Sequence, residues 1–217
     1  ANNIAAGAST LALGNENEAR GDATTAIGVG SKALDKQSVA LGNVARATKQ
    51  GSVAIGSYVN AETTNSGTAT APVYNSKDVG QYSTAVGSQS WTKGDYSAAY
   101  GYKAEAQGSS SVAVGRESVA TGSSSVAVGY TNKAKKNVAV ALGVNNNVDG
   151  EQATAVGSSN TIATDANQAS AFGRENTVNR GGTIAAGYKN TADGDRNVTI
   201  GNNNTTVGEE TIGIGTK

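Results

Sequence analysis

Cysteine, histidine and methionine are missing from the 217 residues, and proline, tryptophan and phenylalanine occur once each. Without cysteine, no disulfide can hold the chain. Without cysteine or histidine, the commonest bases, nucleophiles and metal ligands are gone. The carboxylates are scattered, Gly28-Val29-Gly30 lacks the rest of a dinucleotide fingerprint, and there is no phosphate loop. These absences argue against an enzyme and against a cofactor. Seventeen acidic and seventeen basic residues leave zero formal charge. That balance offers neither the basic footprint of a nucleic-acid binder nor a polybasic membrane patch. No apolar run approaches a spanning helix, and no signal peptide opens the chain. The pattern begins in mid-course at Ile4-Ala5-Ala6-Gly7 and stops just after Ile214-Gly215, so both ends look cut from something longer.

What is present is repetition. Val39-Ala40-Leu41-Gly42, Val53-Ala54-Ile55-Gly56, Val112-Ala113-Val114-Gly115 and Val126-Ala127-Val128-Gly129 are versions of one motif. Anchored on the closing glycine, copies fall at Gly14, Gly28, Gly42, Gly56, Gly87, Gly101, Gly115, Gly129, Gly143, Gly157, Gly173, Gly187, Gly201 and Gly215. Eleven of the thirteen intervals are fourteen residues; the others are thirty-one and sixteen. A fixed short period predicts a solenoid, each repeat one coil. The expected architecture is all-β, about fourteen coils with two short strands each, in a single domain over 1–217 with an inserted loop at about 62–79.

The residue two before the anchor is alanine in twelve of fourteen coils. The residues three and one before it are mostly large and apolar. This period-two alternation is a strand with a small and a large face. A second strand follows the anchor, with Ser or Asn three after it and Ala five after it. Glycine seven after it (Gly21, Gly94, Gly108, Gly122, Gly150, Gly194, Gly208) suggests a turn needing positive φ. The face two and four after the anchor (Glu16 and Glu18, Val44 and Arg46, Tyr58 and Asn60, Gln89 and Trp91, Lys103 and Glu105) reads as a solvated outer sheet.

Fourteen residues close a very thin ring. Sheets usually pack about 10 Å apart, and a ring this short forces them closer, so only Ala, Ser, Gly and similar small groups fit inside. The small face then points in and the large face out. The outward stripe includes Val39, Leu41, Val53, Ile55, Val112, Val114, Val126, Val128, Val140, Leu142, Val198 and Ile200, and 24 of its 28 positions are apolar. At about 4.8 Å per coil it covers roughly 600–700 Å², at or above the largest apolar patch of an ordinary monomer. An obligate homo-oligomer follows, the stripe facing its axis.

Small-Val-Ala-Ile/Leu/Val-Gly, then two residues, then Ser/Asn-x-Ala-x-Gly, resembles the head repeat of the trimeric autotransporter adhesins, the YadA-like head, from about Thr10 to Gly215. The resemblance implies a left-handed parallel β-roll, a homotrimer, and display on the outer membrane of a Gram-negative bacterium. It also implies a neck, a stalk and a membrane anchor, none of them in this chain, the anchor being the only membrane contact. Partners implied are a host extracellular-matrix protein or receptor, or another bacterial cell, with no nucleic acid.

Asn132, Asn146, Asn160, Asn176, Asn190 and Asn204 occupy one inward position on six successive coils and read as a structural amide ladder rather than a ligand track. Tyr58, Tyr74 and Trp91 are the candidate ligand-binding surface, with Trp91 expected to be exposed; the opposing reading is that the loop folds over the Tyr58 and Trp91 rings. Tyr102, Tyr130 and Tyr188 share one corner. Asp193-Gly194-Asp195 and Asp149-Gly150-Glu151 lack the further oxygens of a calcium site, so no metal is expected. The leading function is adhesion. The alternative is a ligand-free fibre or spacer. An ice-binding face is opposed by Glu175 and Lys189 beside the threonine file Thr161, Thr177, Thr191 and Thr205, and a polysaccharide-cleaving enzyme by the lack of an acid–base cluster.

Overall fold

The structure is a computed structural model and describes residues 2–61 and 75–217. The chain is an all-β parallel β-solenoid of about fourteen coils, with no helix among the described residues. It divides into two compact units, Ala1–Ser110 and Ser111–Lys217.

In the second unit the strand Val126–Tyr130 pairs in parallel with Val140–Val144, placing Val126 opposite Val140, Ala127 opposite Ala141 and Gly129 opposite Gly143. The ladder continues to Thr154–Ser158. A two-residue strand, Lys133–Ala134, follows the long one and pairs with Asn147–Val148. The first unit repeats this arrangement, for example Thr25–Val29 against Val39–Asn43 and Lys32–Ala33 against Arg46–Ala47. Register survives both irregular intervals. Val53 lies opposite Thr84 and Ile55 opposite Val86, so the long strands on either side of the thirty-one-residue interval pair in register. Gly157 lies opposite Gly173, and the two extra residues enlarge the turn at Thr164–Asp165.

The interior is small. Ala26, Ala40, Ala54, Ala113, Ala127, Ala141 and Ala155 are fully buried, while the Val, Leu and Ile on either side of each stay half-buried or exposed. Four coils depart from the expectation that only small groups fit: Val59 is fully buried three after Gly56, and three further coils bury a branched aliphatic residue five after the anchor. Val148, Ile162 and Val178 are fully buried. In those same coils the serine four before the anchor is replaced by Ala139, Ala153 and Ala169. Loss of an inward hydroxyl accompanies gain of an inward branched chain, so apolar packs on apolar. Where the corresponding residue is Thr206 or Thr92, a hydroxyl faces it instead: Thr199 at 2.6 Å and Ser83 at 3.0 Å.

The anchor glycine is required twice over. At Gly129 φ is +122°, and a Cβ would stand 1.9 Å from the Gly143 carbonyl oxygen. No L-residue adopts that backbone without strain, and no side chain fits between the coils. The glycine seven after the anchor is a correction. Gly94, Gly122 and Gly194 have no positive φ; a Cβ on each would lie 2.0, 1.9 and 1.6 Å from the next coil's carbonyl oxygen. Close approach, not turn conformation, selects glycine at those three; Gly208 alone of the seven has the expected positive φ, +91°, with no atom nearer than 3.8 Å.

The left-handed residues stand elsewhere. One is two after the anchor, at Glu16, Val44, Tyr58, Gln89, Lys103, Glu117 and Thr131, and another is five before it, at Gln37, Tyr82, Tyr96, Ser124 and Val138. The residue two after the anchor therefore belongs to a corner, not to the outer strand, and the second strand is two or three residues long. The outer face is also less solvated than its composition suggests. Val44, Arg46 and Asn60 are 5%, 4% and 0% exposed.

Candidate interaction surfaces

The asparagine ladder follows from where the corner carbonyls point. At each anchor the carbonyl turns inward, and a buried acceptor needs a donor. Asn146 Nδ2 donates to Gly157 O at 2.9 Å and to Leu142 O at 2.9 Å. It also donates to Asn132 Oδ1 at 3.1 Å. Asn132 Oδ1 accepts the Asn146 backbone N–H at 2.9 Å as well. The same set recurs at Asn160, Asn176, Asn190 and Asn204. Where serine takes the place, its hydroxyl does the donor's part, as Ser31 does to Gly42 O at 2.8 Å. A second file satisfies the other corner: Ser38, Ser52 and Ser125 donate to Asp35 O, Lys49 O and Gly122 O at 2.6–2.7 Å. All six asparagines thus hold backbone groups; five are buried and Asn204 half-buried.

On the outward side of the long strands, Val39, Leu41, Val53, Ile55, Val112, Val114, Val126, Val128, Val140, Leu142 and Val198 are half-buried, each flanked by its equivalents in register. Ile200 is 40% exposed, as are Tyr100 and Phe172 at 42% each. The stripe is thus continuous within each unit, with two aromatic rings standing in it.

Trp91 lies in the short strand Trp91–Thr92. It is half-buried rather than exposed. Its indole N–H donates to Asp78 O at 2.6 Å, and Lys77 Nζ stands 4.7 Å from the ring centroid. The segment after Asn75 therefore covers part of the ring. Tyr58 is half-buried at a left-handed corner. Tyr74 lies outside the described residues, and so does the loop up to that point.

Tyr58 also borders a cavity of about 390 Å³ that the sequence did not single out. Glu18, Lys32 and Arg46 occupy one register position on three successive coils of its wall. Lys32 Nζ is 3.1 Å from Glu18 Oε2, and Arg20 also pairs with Glu18. Burial pushes the Glu18 carboxyl up, but its hydrogen bonds to Arg20 and Lys32 outweigh this and hold it below the usual range. Burial lowers the pKa of Arg46, and Glu18 opposes that shift. The Arg46 guanidinium donates to the Gly30 carbonyl. Fourteen-residue spacing of the three charges was the signal available in the sequence.

The corner tyrosines carry cations on their faces. Arg116 Cζ lies 5.6 Å from the Tyr130 centroid, Lys103 Nζ 5.2 Å from that of Tyr102, and Arg174 and Lys189 4.7 and 5.2 Å from that of Tyr188. The turn acids have protein partners. Asp193 Oδ1 accepts from Asn179 Nδ2 at 3.2 Å, and Asp195 Oδ1 from Gly181 N at 3.1 Å. Asp149 Oδ2 meets Lys135 Nζ at 3.4 Å.

A chain of stacked fourteen-residue coils joined by parallel sheets belongs to the class of solenoid repeat proteins. The family match is specific. The model described as YadA head domain repeat (2 copies) matches residues 5–31, 19–45, 36–58, 79–104, 106–132 and 138–160, more than half of the chain. The chain belongs to that family, the YadA-like head of trimeric autotransporter adhesins. Membership makes it an adhesin-type protein of the bacterial surface, of a kind that is not enzymatic. Beyond residue 160 the anchor glycines and their backbone continue unchanged to Gly215. A comparison with curated proteins gives no match.

Proposed function

We propose that this chain is the head of a homotrimeric adhesin of the Gram-negative outer membrane. Its outward stripes pack about a common axis in left-handed rolls, and its outer surface holds an extracellular-matrix protein, a host receptor or another bacterium. The observation that carries the oligomer is the inversion of the strand: alanine inside at 0% exposure, valine, leucine and isoleucine outside. Each outward Val or Ile buried between chains is worth about 1.5–3 kcal/mol, so two dozen such positions outweigh the cost of association. Three copies and many fibres per cell then multiply weak contacts into firm attachment.

Sedimentation equilibrium tests the assembly. The wild type is expected at three times the chain mass at micromolar concentration, and the double variant Val128→Asp/Leu142→Asp at lower mass. A folded single-chain particle for the wild type refutes the trimer. Attachment is tested by binding of the soluble oligomer to immobilised matrix proteins and host cells, with Trp91→Ala expected to weaken it. Unchanged binding removes the Tyr58, Tyr74 and Trp91 patch from the proposal.

A second reading, a spacer with no ligand of its own, is favoured at this patch by one observation. The Trp91 indole N–H and one ring face are already engaged by Asp78 and Lys77. It predicts no attachment to any matrix protein or cell.

A further inference from the structure

We infer that Tyr82 and Tyr96 form a platform that binds neutral pyranose sugars, independent of the Trp91 patch. The two tyrosines are fourteen residues apart and take the same left-handed corner on adjacent coils, with φ of 51° and 58°. Their rings stack with centroids 5.5 Å apart and planes 12° from parallel. Both are exposed, Tyr82 at 43% and Tyr96 at 66%. Elsewhere in this unit the same corner carries Ser9, Ala23, Gln37, Gly51 and Ser110. At 43% and 66% exposure these rings give the interior little packing in return.

The neighbours leave one ring face open. A Cβ on Gly51 would lie 2.5 Å from Tyr82 Cδ1, so Tyr82 rests on that glycine and is capped on its other side by Tyr96. At the same corner of the next coil stands Ser110, which is small and exposed. The backbone holds the corner firmly: Tyr82 N–H donates to Gln50 O, Tyr96 N–H to Gln81 O and Ser110 N–H to Asp95 O, at 2.8–2.9 Å. Tyrosine presents a large rigid surface at low entropic cost. The electron-rich ring face attracts the partly positive C–H bonds on one side of a pyranose.

Beside the rings stand Gln81, Asp95 and Ser109, all exposed. Asp95 Oδ1 accepts the Gln81 backbone N–H at 2.8 Å, which fixes the carboxylate and leaves Oδ2 for a sugar hydroxyl. Amide, hydroxyl and carboxylate groups around an aromatic face match a polyhydroxylated ring. Among Gln81, Asp95 and Ser109 only Asp95 is charged, and it repels sialylated or sulfated sugars.

Saturation-transfer NMR on the whole chain tests this with methyl β-galactopyranoside, methyl β-glucopyranoside and chitotetraose, against sialyllactose and a heparin hexasaccharide. Transfer to at least one neutral probe is expected, with little to the anionic pair. Tyr96→Ser, which installs the residue Ser110 already carries at this corner, should weaken binding at least tenfold while the melting temperature stays within a few degrees. Tyr96→Phe and Trp91→Ala should retain it. Absence of neutral-sugar binding in the wild type, equal binding by Tyr96→Ser, a preference for the anionic probes, or loss in Trp91→Ala overturns the inference.

Discussion

Replacing Asn146 by alanine puts the account of the interior to its sharpest test. Asn146 Nδ2 is a donor to the Gly157 carbonyl at 2.9 Å, and its Oδ1 accepts the backbone N–H of Asn160 at 3.0 Å. Both partners sit where water is excluded. A buried polar group left without a partner costs about 1–3 kcal/mol, so two orphaned groups cost about 2–6 kcal/mol. Serine reaches the next anchor carbonyl elsewhere in the chain, as Ser118 does to Gly129 O at 2.9 Å. Asn146→Ser should therefore recover the carbonyl's share and leave only the N–H orphaned, costing about half as much. A single global unfolding energy is poorly defined for a repeat protein, so local opening is the better observable. Amide exchange at Asn160 should accelerate in Asn146→Ala by about thirtyfold or more, at about 1.4 kcal/mol per tenfold, and by less in Asn146→Ser. An alanine variant whose Asn160 amide exchanges at the wild-type rate, or a serine variant worse than alanine, refutes the claim that the asparagines serve inward carbonyls.

Gly129→Ala should destabilise by more than about 3 kcal/mol in denaturant titration, since its Cβ would meet Gly143 O at 1.9 Å with φ at +122°. Gly30→Ala should cost only about 1 kcal/mol, because φ is +63° and the nearest atom, Val44 Cγ2, is 3.9 Å away. Equal losses would show that space between coils does not select the anchor glycine. Glu18 gives a pH dependence. Its folded pKa is depressed below the unfolded value, so its contribution is complete above the ordinary carboxylate range and is lost as pH falls through the folded value. The stability gap between wild type and Glu18→Gln should shrink on acidification below about pH 4, and a gap constant with pH contradicts the assignment. Ile162→Ala should cost about 2–4 kcal/mol in the same titration as a core truncation, because Ile162 is fully buried.

Much of the coil was legible because each position recurs. Alanine two before the anchor, flanked by large apolar residues, read as small-in and large-out, and the burial of Ala127 between half-buried Val126 and Val128 has that sense. The corners were not legible. Glu16, Lys103 and Thr131 have no preference for left-handed backbone, yet each adopts it, because ring closure in fourteen residues imposes the bend on whatever stands there. Trp91 read as exposed on period alone, and Lys77 and Asp78, which cover it, lie outside the period. Tyr82 and Tyr96 were not singled out by the sequence pattern, and only the structure shows their stacking.

The order of residues alone determined the coil, its register and which side chains turn inward, since a fixed period with a small residue at every second place admits one stacking that keeps bulk out of a thin ring. The tertiary structure decided the rest. It decided that corner carbonyls point inward and so require Ser and Asn beneath them, that glycines at two positions are chosen by the approach of a neighbouring coil, and that Val148, Ile162 and Val178 find room opposite alanines. The physical reason is the same in each case: hydrogen-bond direction and contact between coils depend on residues fourteen or more apart, and no local preference encodes them.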